Sequence, residues 1–222
     1  MDTEEFLAAY RETRRFVADY QTAAMKSVLP AAIMEQAKRI GLVKDGKLQP
    51  GSPTEMTLVF DLAIHTAKDG RSRAIDRVAK QRALPEGGQE AKVMEAVRTA
   101  LFTVWRVDGP HETAGLMAFD VLRQTPFWMV DEWLATSVKP GDRFVTRLAD
   151  MGDYRMSCGA NVPVNDNVFQ LVAADPRNAR ASGIDAILRD RRFAEAFYRA
   201  AVTGRVMRGI AFREPGQPDP RG

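Results

Sequence analysis

The apolar positions of the first hundred residues recur at the helical period. From Thr3 to about Val28, Phe6, Leu7, Tyr10, Phe16, Val17, Tyr20 and Met25 fall at steps of three and four, while Arg11, Arg14, Arg15 and Asp19 lie off that stripe, which predicts an amphipathic helix. Its aromatic face can meet the body of the chain or a second copy. Pro30 suits the first turn of a second helix carrying Ile33, Met34, Ala37 and Ile40, and Gly41 suits its end. The Asp45-Gly46 pair within LVKDGKLQ favours a type I′ turn between two short extended pieces. Ser52, Pro53 and Glu55 then supply an N-cap, a proline at the first helical position and an early acid for a helix striped by Met56, Val59, Phe60, Ala63 and Ile64. A helix opened by Ser72, with Ile75, Val78 and Ala79 inward, and another from Gln89 running into Leu101 complete this part.

From Leu101 to Val164 the pattern changes. Short apolar and β-branched runs are broken by Gly, Pro and Asp turns, which predicts strands near 101–108, 115–122, 127–130, 143–149 and 154–158. Lys139-Pro140-Gly141-Asp142 reads as a type II turn, and Asp150-Met151-Gly152-Asp153 as the hairpin into YRMSC. Glu132 to Val138 reads as a helical turn. Beyond Val164, Asp166 or Asn167 is placed to cap a short helix over 168–173, and Ile184, Leu188, Phe193, Phe197, Tyr198 and Val202 mark the closing helices. The expected fold is α+β. It comprises a helical N-terminal half over 1–100, a small antiparallel curled sheet or five-stranded partly open barrel over 101–165, C-terminal helices over 166–211 packed on the same body, and a disordered tail over 212–222.

Composition adds little to this picture: 222 residues with 45% apolar content support a real core. The longest apolar runs are far short of the roughly 20 residues that span a bilayer, and the N-terminus MDTEEFLAAY is acidic and amphipathic rather than signal-like. Cys158 is the single cysteine, so it forms no internal disulfide and supplies no cysteine cluster for zinc, which suits a reducing compartment; a cytoplasmic location is expected. Arg-rich, Ala-rich usage suggests a bacterial source. The net charge of +3 is small, but it is unevenly placed, with the strand region acidic and both helical regions basic.

Candidate chemistry is sparse. Asp61 and His65 are four residues apart, so a helix puts them on one face where a carboxylate can orient an imidazole; they form the one catalytic pair the sequence offers. No G-x-S-x-G elbow, P-loop, G-x-G-x-x-G or metal-ligand spacing occurs, and no cofactor or metal is expected. Basic residues cluster around Arg71, Arg73, Arg77 and Lys80, and again around Arg191 and Arg192, where they could track phosphates; Asp69, Asp76 and Asp190 are interleaved, as on a solvated helix face.

The strand-and-turn pattern from Phe102 to Gly159, with AFDVLRQTPFWMVDE followed by SVKPGDRFVTRLADMGDYRMSCG and preceded by a helix containing FDLAIH, resembles a group of uncharacterised bacterial proteins. Some of them carry a SEC-C zinc-binding motif. This chain departs from those members, since one cysteine cannot supply that motif, and the resemblance implies no activity. The leading expectation is a non-catalytic protein-interaction module that self-associates, because 10 Met and 18 aromatic residues exceed what a small monomer needs. Nucleic-acid binding through the Arg-rich helices, and an enzyme whose site assembles from residues distant in sequence, are the alternatives.

Overall fold

The helical period of the N-terminal part becomes α1 (Thr3–Lys26) and α2 (Pro30–Arg39), followed by the hairpin of β1 (Val43–Lys44) and β2 (Lys47–Leu48). Asp45 and Gly46 both adopt positive φ, as a type I′ turn requires. Then come α3 (Pro53–His65), α4 (Ala74–Gln81) and α5 (Gln89–Thr99). This computed structural model describes residues 2–68, 70–173 and 183–209, so the expected disordered tail over 212–222 lies outside the described residues. Ser52 does occupy the position before α3, but its hydroxyl meets Thr54 Oγ1, and the Glu55 carboxylate takes up the Gly51 N–H instead. Ser72 does not open α4. The extended residue before that helix is Arg73, whose guanidinium folds back onto Asp76 in the first turn.

β3 (Leu101–Pro110), β4 (Leu116–Asp120), β5 (Thr125–Met129), the short α6 (Glu132–Ala135), β6 (Arg143–Asp150) and β7 (Arg155–Ser157) follow the expected order. Their five strands close: β3 pairs with β4 and β6, β4 with β5, β5 with β7, and β7 with β6. Every pairing is antiparallel except β5 with β7. A ring of five strands cannot alternate all the way round, so closure forces one parallel joint; this is where the structure refines the antiparallel, partly open expectation. The ring order, first, second, third, fifth, fourth and back to first, is the strand order of the OB-fold.

Trp105, Val107, Leu116, Ala118, Phe127, Met129, Phe144 and Leu148 alternate into the barrel, and Leu134 of α6 closes one end. The barrel's outer faces carry two further cores. Phe102, Val104 and Val145 face α2, α3 and the C-terminal helix, whereas Ala149 and Met156 face α1, α4 and α5. α3 serves both, with Leu58, Val59 and Leu62 turned to the first core and Ile64 to the second. Burying a side chain such as Phe102 contributes about 2 to 3 kcal/mol, so the barrel is braced on both sides.

β8 (Val162–Pro163) pairs with β6 on the same side as β7, so residues 158–161 interrupt an otherwise continuous neighbour of β6. α7 (Asp166–Ala173), α8 (Ile184–Arg189) and α9 (Arg191–Thr203) complete the described chain, with a 3-10 turn over Val206–Gly209. Neither Asp166 nor Asn167 caps α7; the Asn165 side chain accepts from the Val168 N–H at 3.0 Å, because the chain leaves β8 extended through Val164 and turns one residue earlier.

Candidate functional site

The interruption at 158–161 lies opposite Arg147 on the outer face of β6. Arg143, Val145, Arg147 and Ala149 share that face, and two of the four are apolar core residues, so a cation among them has to be matched from the helices above. α3 supplies the match. Arg147 Nε lies 3.0 Å from each oxygen of Asp61, and Tyr198 of α9 donates its hydroxyl to Asp61 Oδ2 at 2.8 Å. Both charged side chains are nearly inaccessible, at 7% and 2% exposure. Burial pushes the Asp61 carboxyl up while the Arg147 guanidinium and the Tyr198 hydroxyl draw it down. The pair is ionised, since a guanidinium keeps its proton and would otherwise sit in the interior without a counter-charge. Gly159 makes the approach possible: a Cβ there would stand 2.7 Å from Asp61 Oδ1 and 3.2 Å from the Arg147 backbone nitrogen.

His65 follows Asp61 by one helical turn, yet the carboxylate does not orient it. Asp61 is committed to Arg147 and Tyr198, and among the described residues the His65 ring makes no hydrogen bond of good geometry, its nearest polar contact being the Cys158 backbone. Burial, reinforced by the charges of Arg147 and Arg73 and only partly opposed by the Cys158 backbone, holds the imidazole well below its ordinary pKa of 6.5, so it is neutral at pH 7. Arg147 is also incompletely used. Among the described residues only Nε makes a hydrogen bond, and the buried Nη2 has no hydrogen-bond partner. Cys158, behind them, is buried and its thiol is pushed up to about 12 by burial, which makes it a small apolar residue rather than a nucleophile.

His65 and Arg147 are among the residues that line a cleft of about 830 Å³. The rest of the lining comes from Thr66, Ala67, Lys68, Gly70, Arg71 and Arg73, the start of α4, the end of α5 with the start of β3, and the junction of α8 with α9. Among the described residues, eight cations line it against two acids, Asp76 and Asp190. Several are matched: Arg73 grips Asp76, Arg98 grips Glu95, Lys68 meets Glu35 and Arg192 meets Asp190. Asp76 is held below the usual carboxylate range by the Arg73 hydrogen bonds. Arg71 and Arg189 make no side-chain hydrogen bond or ion pair with a described residue, and Arg191 donates to the Ala67 carbonyl, at 3.0 Å.

Of the basic residues singled out in the sequence, the fold therefore brings Arg71, Arg73, Arg191 and Arg192 together. It does not bring Arg77, which donates to the backbone carbonyls of Ser72 and Ser27, nor Lys80, exposed on α4 away from the cleft. Arg147, Tyr198 and Gly159 were missed. The one sequence signal for Arg147 was a cation alternating with Val145 and Ala149 on a strand; Tyr198 and Gly159 left none.

The other side of the barrel is closed. α1 stacks Phe6 on Trp128 at 4.8 Å between ring centres and sets Phe6 and Tyr10 edge-on to Tyr154. Trp128 also carries His111 at 4.1 Å, and its Nε1 donates to the Ala114 carbonyl. Among the described residues, no three His, Cys, Asp or Glu side chains gather closely enough to hold a metal ion, and no helix is long and apolar enough to cross a membrane.

The chain belongs to a family of unknown function (DUF7986), which matches residues 4–200 and agrees with the resemblance to uncharacterised proteins. Comparison with curated proteins finds no match, and comparison with solved structures finds none.

Proposed function

We propose that this member of a family of unknown function is a non-catalytic binding protein for a phosphate-bearing polyanion, held in the cleft between α4, α5 and the α8–α9 junction. The observation that carries the reading is the excess of cations facing one concavity, with Arg71, Arg189 and Arg191 bonded to no carboxylate among the described residues. Cations converging without matching acids lower the free energy of an anion there, and a concave wall strengthens the field. The volume suits a small ligand.

Among the described residues no Phe, Tyr or Trp lines the cleft, so the ligand is recognised by charge rather than by stacking, which favours a compact polyphosphate over single-stranded nucleic acid. Most of the apolar side chains that suggested self-association are buried within the one chain, and among the described residues the large exposed ones are Leu29, Met117, Leu171 and Ile184, none of them aromatic. Asp61 and His65 lack the mutual hydrogen bond that would make them a working acid and base. A cytoplasmic setting, where phosphate-bearing small molecules are abundant, is part of the same proposal.

The test is calorimetric titration of the full chain with inorganic tripolyphosphate, at low and high salt, beside a short single-stranded DNA. Wild type is expected to bind tripolyphosphate with a salt-sensitive affinity. Arg71→Ala/Arg189→Ala, which removes two guanidinium groups that bond nothing else described, should weaken it by about tenfold or more. Absence of polyanion binding, or unchanged binding by the double variant, would overturn the reading, and tighter binding of the DNA would replace it with the nucleic-acid one.

A further inference from the structure

Resting on that reading of the cleft, we infer that the polyphosphate it takes is the metal-free anion, and that Mg2+ antagonises binding by holding the oxygens the arginines would hold. The charges around the cleft can be followed residue by residue. Among the described residues, Arg73 grips Asp76 through bonds of 2.8 and 2.7 Å, and Arg98 grips Glu95 while its Nη1 lies 3.7 Å from Asp76. Asp190 opens α9 by accepting from the Arg192 backbone N–H at 2.9 Å, and it is gripped by the Arg192 guanidinium as well. Lys68 meets Glu35 at 3.0 Å, and Arg147 meets Asp61 at 3.0 Å. Arg71, Arg189 and Arg191 remain, bonded to no described carboxylate. The surplus is cationic, and each of these acids is already engaged by a cation.

That balance decides the form of the ligand. A linear polyphosphate chelates Mg2+, and a protein built for the complex offers the metal one or two carboxylates beside the phosphate oxygens and retained waters. Among the described residues this cleft has Asp76 and Asp190 alone for that purpose, and no three His, Cys, Asp or Glu side chains gather closely enough to hold an ion. For Asp76 to reach a metal it would have to release Arg73, and for Asp190 to do so it would have to release Arg192. Either exchange sets a freed guanidinium beside a divalent cation. Hydrogen bonds from those arginines hold both carboxyls below the usual carboxylate range, as expected of acids already matched. Chelation also cancels two of the ligand's negative charges, which weakens its attraction to Arg71, Arg189 and Arg191. Guanidinium groups fork onto the same phosphate oxygens that Mg2+ takes, so metal and protein compete for them.

Calorimetric titration of the full chain with inorganic tripolyphosphate tests this in metal-free buffer and again in excess magnesium chloride, with sodium chloride matching the ionic strength. Mg2+ should weaken binding by wild type by about tenfold or more relative to the sodium control. An affinity that Mg2+ leaves unchanged, or raises, would overturn the inference. A rise would mean that a carboxylate meets the metal, and Asp76→Asn, Asp190→Asn and Asp69→Asn, the last outside the described residues, would show which one by abolishing it. Failure of the underlying reading looks different. Absence of binding in metal-free buffer, or metal-free binding that Arg71→Ala/Arg189→Ala leaves unchanged, would remove the cleft reading itself. Metal-free binding that this variant weakens, together with no loss of affinity in Mg2+, would keep the cleft reading and remove only the metal-free form of its ligand.

Discussion

The two helix-covered flanks of the barrel are finished to different degrees. On the α1 flank the polar groups find partners: Arg11 forks onto Glu132 at 2.7 and 3.2 Å, Arg14 and Gln21 reach the carbonyls of Ser157 and Cys158, and the Trp128 indole donates to Ala114. On the flank shared by α3, α9 and β6, Asp61 and Tyr198 are satisfied, whereas Arg147 Nη2 has no hydrogen-bond partner among the described residues and the His65 ring has no hydrogen bond of good geometry. Aromatic rings close the first flank, and cations leave the second open to a cleft.

The largest expected effect breaks the open flank at its anchor. Asp61→Ala leaves the Arg147 cation buried without a counter-charge and should lower unfolding stability by about 3 to 5 kcal/mol in urea denaturation. Its counterpart on the closed flank, Arg11→Ala, removes a hydrogen-bonded ion pair in solvent and should leave the denaturation midpoint where it was. Comparable losses from both would erase the distinction between the flanks.

Gly159→Ala tests the close approach with a smaller expected cost. A methyl group at that position has to displace the Asp61 carboxylate or the β6 backbone, for about 1 to 3 kcal/mol. A wild-type midpoint in the same urea titration would show that the approach is not tight.

The smallest effect is a pH dependence. Burial holds the folded His65 pKa below 6.5, so below that pH the unfolded chain binds a proton that the folded chain refuses. The sign follows: stability is full above pH about 6.5 and falls by up to about 1.4 kcal/mol per pH unit beneath it, until the folded pKa is reached. Urea titrations on either side of that pH should show this one-proton slope in wild type and its removal in His65→Phe. Parallel pH profiles for the two proteins would show that His65 is not the group responsible.

Local order was legible in the chain because it is written in near neighbours. The three- and four-residue spacing from Phe6 to Met25 needs only a helix to align it, Asp45-Gly46 and Pro140-Gly141 carry their turns in their own backbone preferences, and alternation within RFVTRLA sorts its residues onto two faces. Asp61 and His65 were likewise visible as one helical face, and Arg71 and Arg73 as one basic stretch. Partnership was not visible, because it is a relation between elements far apart in sequence. Asp61 lies 86 residues from Arg147 and 137 from Tyr198, and no local rule connects them. Closure of the barrel sets β6 beneath α3, and packing of α9 across the same face brings Tyr198 and the Arg191 end of the helix to the cleft. The sequence by itself determined which segments would be helix, strand and turn, through spacing and backbone preference; only the tertiary structure decided which buried charges would be neutralised and which cations would converge on one cleft, because that depends on the low-dielectric contacts that closure creates.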